Sequence, residues 1–267
     1  MNTELLNTTI NEITTKTLVE RHNLILTYLE IIRNKLDTIN NFEWAEISQM
    51  ALPDSFIREF EDKLDWSYIT ANHLLNENFI EEFMDSVVWF AASKNQDLSD
   101  HLIRKYSDNL DWFAVSQYQT LSEKFIREFQ NKVDWETVSQ YQTLSEDFIR
   151  EFQDRVDWIW ISLRQILSEN FIEEFQDKIH WPWLCISQTL SEHLIKHYSD
   201  KVDREAVSQY QTLSEDFSRE FQDKVDWGVI TRSQNLSEPF LIEFKDRFEC
   251  YTVTEESIQE PVMDTSL

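Results

Sequence analysis

The chain has 267 residues and a single glycine, Gly228, where average usage near 7% would supply roughly eighteen. That scarcity excludes phosphate-cradling glycine loops, dinucleotide fingerprints and nucleophile elbows, all of which need backbone that only glycine adopts cheaply. With 50 acidic against 24 basic residues, the net charge of −26 argues against binding DNA, RNA or anionic lipid, while 41% hydrophobic and 13% aromatic content suffices for a core.

Met1 is followed by Asn2, Thr3 and Glu4, without a basic segment leading into an apolar run, and no apolar stretch is long enough to span a bilayer. A soluble, intracellular protein is the expectation. Residues 1–43 read as an N-terminal helical cap. Within it Leu18, His22, Ile25, Leu29, Ile32, Leu36 and Ile39 alternate by four and three, a heptad seam that either covers the first repeat or pairs two copies as a dimer.

From residue 44 to 251 the chain repeats. Leucines at 52, 75, 98, 121, 144, 167, 190, 213 and 236 each open a similar 23-residue block, and FEWAEISQMA before Leu52 is a partial copy. Counting the leucine as position 1, position 5 is Phe or Leu and position 9 is aromatic in every copy. The usual serine at position 2 is an N-cap, the acid at position 3 suits the helix dipole, and a first helix is predicted over positions 3 to 11. The usual aspartate at position 14 caps a second, shorter helix. Tryptophan opens it at Trp44, Trp66, Trp89, Trp112, Trp135, Trp158, Trp181 and Trp227. The period overlaps that of leucine-rich repeats, but no LxxLxL strand pattern is present and the spacing is helical throughout. The predicted fold class is all-α: an α-solenoid of about nine two-helix repeats, each burying its apolar face on its neighbours. Residues 252–267 read as an acidic, flexible tail.

The repeat LSExFIREFxDKVDWxxVSxYQ resembles tandem-repeat proteins of giant DNA viruses of amoebae. The resemblance implies a viral protein acting in the host cytoplasm and carries no established activity.

Most chemically tempting residues fall on repeat positions. Cys185 occupies position 19, where sister copies carry Ser or Thr, and Cys250 takes the tryptophan slot of the last unit, so both are read as structural, reduced thiols. Glutamine at position 22 (Gln96, Gln119, Gln142, Gln165, Gln188, Gln211 and Gln234) is expected to bond backbone groups of a turn. His193 and His197 stand i, i+4 on one helix, opposite Asp216 and Glu220 of the next unit; they are a weak metal candidate, and no cofactor is expected. Gly228, at position 16, reads as a surface substitution without a site.

Departures from the consensus point to function. The second helices of the Leu144 and Leu167 units carry Ile159, Trp160 and Leu163, then Trp183 and Ile186, where other copies have mostly small or polar residues; Phe90 and Phe113 fall on the adjoining row of earlier units. Clustered aromatics of this kind are what a protein-binding hot spot uses. The expectation is a non-enzymatic scaffold that binds another protein, its acidic flanks favouring a basic partner edge. The alternative is an acidic mimic of nucleic acid that competes for basic proteins.

Overall fold

The computed structural model describes residues 27, 29–35 and 39–252, with side chains to residue 248. Most of the predicted N-terminal seam (Leu18, His22, Ile25, Leu36), the side chain of Cys250 and the tail from residue 253 lie outside the described residues. Among the described residues all regular structure is helical, in two-helix units repeating every 23 residues: an α-solenoid. Contacts divide the chain into two compact units, residues 1–134 and 135–267.

In the first unit, helices Asn41–Ser48, Trp66–Asn72, Trp89–Asn95 and Trp112–Tyr118 pack in succession, with the short helices Asp54–Glu59, Glu77–Glu82, Asp100–Lys105 and Glu123–Glu128 between and after them. Ahead of them Leu29 and Ile32 are fully buried, and Arg33 forks onto Glu59 at 2.7–3.3 Å while lying over the Phe56 ring. Arg58 makes the same pair of contacts, to Glu82 and Phe79. The segment around Arg33 thus meets the first repeat as one repeat meets the next. In the second unit the packed series is Trp135–Tyr141, Trp158–Arg164, Trp181–Ser187, Arg204–Tyr210, Trp227–Ser233 and Lys245–Thr252.

The first helix is shorter than its periodicity predicts. It occupies positions 3 to 8, as in Glu146–Glu151, and ends on the position 9 aromatic; Phe152 has φ −111° and ψ 28°. The chain then coils on through a turn in which the N–H groups of Arg155 and Val156 both donate to the Phe152 carbonyl. Bonds of three- and four-residue span keep positions 9 and 13 on the helical face, so the apolar spacing continues past the helix end. The second helix ends at position 21, and the glutamine after it is extended, with Gln165 at φ −92° and ψ 145°.

Neither corner uses the left-handed region: among the described residues no φ is positive, not even at Gly228. A chain that turns entirely through negative φ has no need of glycine. Gly228 sits inside helix Trp227–Ser233 and is buried, so the expectation of a surface substitution there is corrected.

Side chains close the corners. Serine at position 2 accepts from the backbone N–H of position 5, as Ser145 does from Phe148 at 3.2 Å. Asp157 caps the second helix by accepting from Ile159 and Trp160. Between repeats, the buried position 19 hydroxyl bonds twice: Ser139 Oγ donates to the Trp135 carbonyl at 2.7 Å and accepts from Asp157 N–H at 2.9 Å. Ser93, Ser162 and Ser208 do likewise.

Position 22 glutamines form a buried ladder. Gln165 Nε2 donates to the carbonyls of Ser139 (3.3 Å) and Gln142 (2.8 Å) in the preceding repeat, while its Oε1 accepts from Leu144 N–H at 3.0 Å. Gln96, Gln119, Gln211 and Gln234 repeat this three-bond pattern. The glutamine therefore joins consecutive repeats as well as satisfying a corner.

Tryptophan at position 15 is the apolar counterpart. Its indole N–H donates to the position 10 carbonyl of its own repeat, as from Trp158 to Gln153 at 2.9 Å, and its ring lies against the position 9 aromatic of the next, as on Phe175 at 5.1 Å. Below it Phe148, Ile149, Phe171 and Ile172 are essentially inaccessible. Within the series Arg204 takes the tryptophan slot of the Leu190 repeat.

Candidate functional site

Helices Trp158–Arg164 and Trp181–Ser187 are neighbours in the second unit, which sets the equivalent residues Trp160 and Trp183, and Leu163 and Ile186, one repeat apart. Ile159, Trp183 and Ile186 are exposed (46%, 40% and 37%), and Trp160 and Leu163 are half-buried. At the position 17 that Trp160 and Trp183 share, the other repeats hold Ala91, Ala114, Thr137 and Ala206, which are buried, and Tyr68 and Val229, which are half-buried. Ile166, in the following corner, is 94% exposed. Sister repeats carry Thr120, Thr143, Thr189 and Thr212 at this position 23, so Ile166 is a further apolar departure that the sequence already held.

In the first unit Phe90 and Phe113 are both more than half exposed, at position 16 of the adjacent helices Trp89–Asn95 and Trp112–Tyr118.

The acidic side chains of the first helices are in many cases engaged. Arg150 bonds Glu174 of the next repeat at 2.8 Å, as Arg104 does Glu128, Lys196 does Glu220 and Arg219 does Glu243. The same arginines lie over the position 5 rings of the next unit, Arg150 over Phe171 at 4.9 Å. Exposed pairs of this kind contribute about 0.2–1 kcal/mol each, so they set register more than stability. The Arg104 guanidinium holds Glu128 below the usual carboxylate range, and the Lys132 ammonium does the same for Asp108.

His193 and His197 stack at 6.4 Å, but the acids facing them are engaged elsewhere, Asp216 with Arg219 and Glu220 with Lys196. Among the described residues no group of three or more His, Cys, Asp or Glu is placed to hold a metal ion. Cys185 is buried, and that burial pushes its thiol up to about 11, which keeps it protonated at neutral pH. No helix among the described residues is long and apolar enough to cross a membrane.

Comparison with protein-family models, curated proteins and solved structures found no match. The chain's own repeats are therefore the reference against which its sites stand out.

One departure escaped the sequence reading. Arg204 occupies the tryptophan slot of the Leu190 repeat, and a cavity of about 230 Å³ lies there, walled by Val202, Val207, Phe217 and Phe221. The signal was already in the sequence: Trp181 is followed after 46 residues, two repeats, by Trp227.

Proposed function

We propose that this protein is a non-enzymatic repeat scaffold that binds another protein through the ridge of Ile159, Trp160, Leu163, Trp183 and Ile186, with Phe90 and Phe113 as a second apolar surface in the first unit. The supporting observation is the exposure of Trp183 and Ile186 beside the half-buried Trp160 and Leu163, at positions that other repeats fill mostly with small or polar residues. Large apolar groups exposed to water are the material of an interface core, and tryptophan is enriched among the anchors there. The acidic helix faces around the ridge suit a partner with a basic rim, where charge raises the association rate and excludes wrong partners.

The test is affinity capture from the native cell, comparing the natural chain with the Trp160→Ala/Trp183→Ala variant. The ridge reading expects loss of the captured protein with helicity and melting retained. Loss of folding would make the two tryptophans core residues. The net charge of −26 favours a second reading, an acidic competitor for nucleic-acid-binding proteins. It expects binding that survives both substitutions and falls steeply with salt.

A further inference from the structure

We propose that the cavity at Arg204 is a binding site for a small aromatic carboxylate, its ring in the space that an indole fills in sister repeats and its carboxylate at Arg204 and Lys224.

The sister repeats define what the slot accepts. In seven of them the indole ring packs 4.6–5.1 Å from the position 9 aromatic of the next repeat. At Trp66, Trp112, Trp158, Trp181 and Trp227 the indole N–H donates to the position 10 carbonyl. In the Leu190 repeat the ring partners are present as Phe217 and Phe221, and the position 10 residue, Ser199, lines the cavity. Only the indole is missing.

The surroundings record its absence. Phe217 and Phe221 lie nearly parallel, at 11°, whereas the equivalent phenylalanine pairs of other repeats are tilted by 31–47°. Val202 is half-buried, while its counterparts Val133, Val156 and Ile179 are buried. Arg204 does not refill the slot. It is exposed, and its guanidinium donates to the Val225 carbonyl at the rim. A cavity of 230 Å³ exceeds the roughly 150 Å³ apolar cavity that takes up benzene, leaving room for a bicyclic ring.

Charge selects the class of ligand. In other repeats the position 12 lysine pairs with an aspartate of the preceding unit: Lys132 with Asp108, Lys178 with Asp154, Lys201 with Asp177. Lys224 instead donates to Ser199 Oγ at 2.8 Å. Asp223 also lines the cavity, and its charge is paired with Arg247 at 3.2 Å. Two cations thus stand at the mouth of an apolar cavity, hydrogen-bonded to a carbonyl and a hydroxyl, in a protein of net charge −26. A carboxylate is the group both can exchange those neutral acceptors for, in charge-assisted bonds. An N–H on the ring can donate to the Ser199 carbonyl, as the indoles of sister repeats do to theirs.

Calorimetric titration of the full chain with indole-3-acetate, and in parallel with neutral indole, tests this. The expectation is saturable one-to-one binding of indole-3-acetate, at least about tenfold tighter than indole, a difference of about 1.4 kcal/mol. Arg204→Trp, which restores the consensus ring, should abolish binding of both while preserving helicity. Lys224→Gln should weaken indole-3-acetate alone. Absence of indole-3-acetate binding, or binding that a folded Arg204→Trp variant retains, overturns the site. Equal affinity for the two probes overturns the carboxylate assignment. Should Arg204→Trp fail to fold, Lys224→Gln and the two-probe comparison on the natural chain decide the matter.

Discussion

The glutamine ladder makes a quantitative claim that two neighbouring rungs can test against each other. Gln165 makes three buried hydrogen bonds, and truncation to alanine leaves the Ser139 and Gln142 carbonyls and the Leu144 N–H without that partner. At roughly 1–1.5 kcal/mol for each buried polar group left unsatisfied, Gln165→Ala should cost about 3–4 kcal/mol. Gln188, one repeat on, keeps only the bond from Leu167 N–H at 2.9 Å; its buried Nε2 has no partner, and the Ser162 carbonyl accepts from Ser187 Oγ. Removing Gln188 sacrifices one bond and also relieves one orphaned amide, so Gln188→Ala should cost about 1 kcal/mol or less. Loss of side-chain packing is common to both and largely cancels in the difference. Urea denaturation followed by circular dichroism and by tryptophan fluorescence measures it, and coincidence of the two transitions checks that unfolding is cooperative. Equal costs for the two variants would refute the ladder as the link between repeats.

His73 stands in the glutamine position of the Leu52 repeat, half-buried, with Nε2 lacking a partner. His73→Gln should stabilise the chain by about 1 kcal/mol at pH 7. Burial lowers the His73 pKa, against the pull of the Ser48 and Met50 carbonyls, so the folded state binds fewer protons than the unfolded. Its contribution is complete above the unfolded value near 6.5 and declines as pH falls below it, so the advantage of His73→Gln should widen between pH 7.5 and 5.5 in thermal melts. Cys185→Ser should gain about 0.5–1.5 kcal/mol by restoring the position 19 hydroxyl, read from the urea midpoint. In the folded natural protein the Cys185 thiol, raised to about 11, should resist alkylation at pH 7.5 and react only on unfolding, as mass spectrometry would report.

The repeat, its caps and its tryptophans were legible because each leaves a residue at a fixed spacing. Ser145, Asp157 and Trp158 could each be assigned a role from spacing and side-chain chemistry alone. The end of the first helix was not legible. After Glu151 the turn keeps three- and four-residue bonding around Phe152, and Val156 stays on the face a continuing helix would give it. The partners of Gln165 were hidden for a different reason: they are backbone carbonyls one repeat away, and a carbonyl leaves no mark in a sequence. Trp160 was visible as a departure, but its half-burial depends on how the neighbouring helices pack around it, which spacing does not record. The Arg204 vacancy is an absence in a series and becomes a cavity only once the partners of the missing ring, Phe217 and Phe221, are located.

Stability in a stacked repeat protein is close to a sum of unit and nearest-neighbour terms, so a weakened interface has a local consequence. Between the Leu167 and Leu190 repeats Trp181 lies 4.8 Å from Tyr198, but between the Leu190 and Leu213 repeats no indole is present, and Ser218 replaces the isoleucine usual at position 6. Removing a buried tryptophan costs about 3–5 kcal/mol. The Arg204 bonds to the Val225 carbonyl and the Gln234 ladder bonds to Ser208 and Gln211 restore only part of that. The segment beyond this interface should therefore open as a unit, ahead of the rest of the second unit. In native-state hydrogen exchange, amides of helices Glu215–Glu220 and Trp227–Ser233 should exchange faster than those of Glu146–Glu151 and Trp158–Arg164, by about tenfold for each 1.4 kcal/mol by which the interface is weaker. Arg204→Trp should slow the first pair and leave the second unchanged. Uniform protection across all four helices, with or without that substitution, would mean that the tryptophan stack does not govern coupling between repeats.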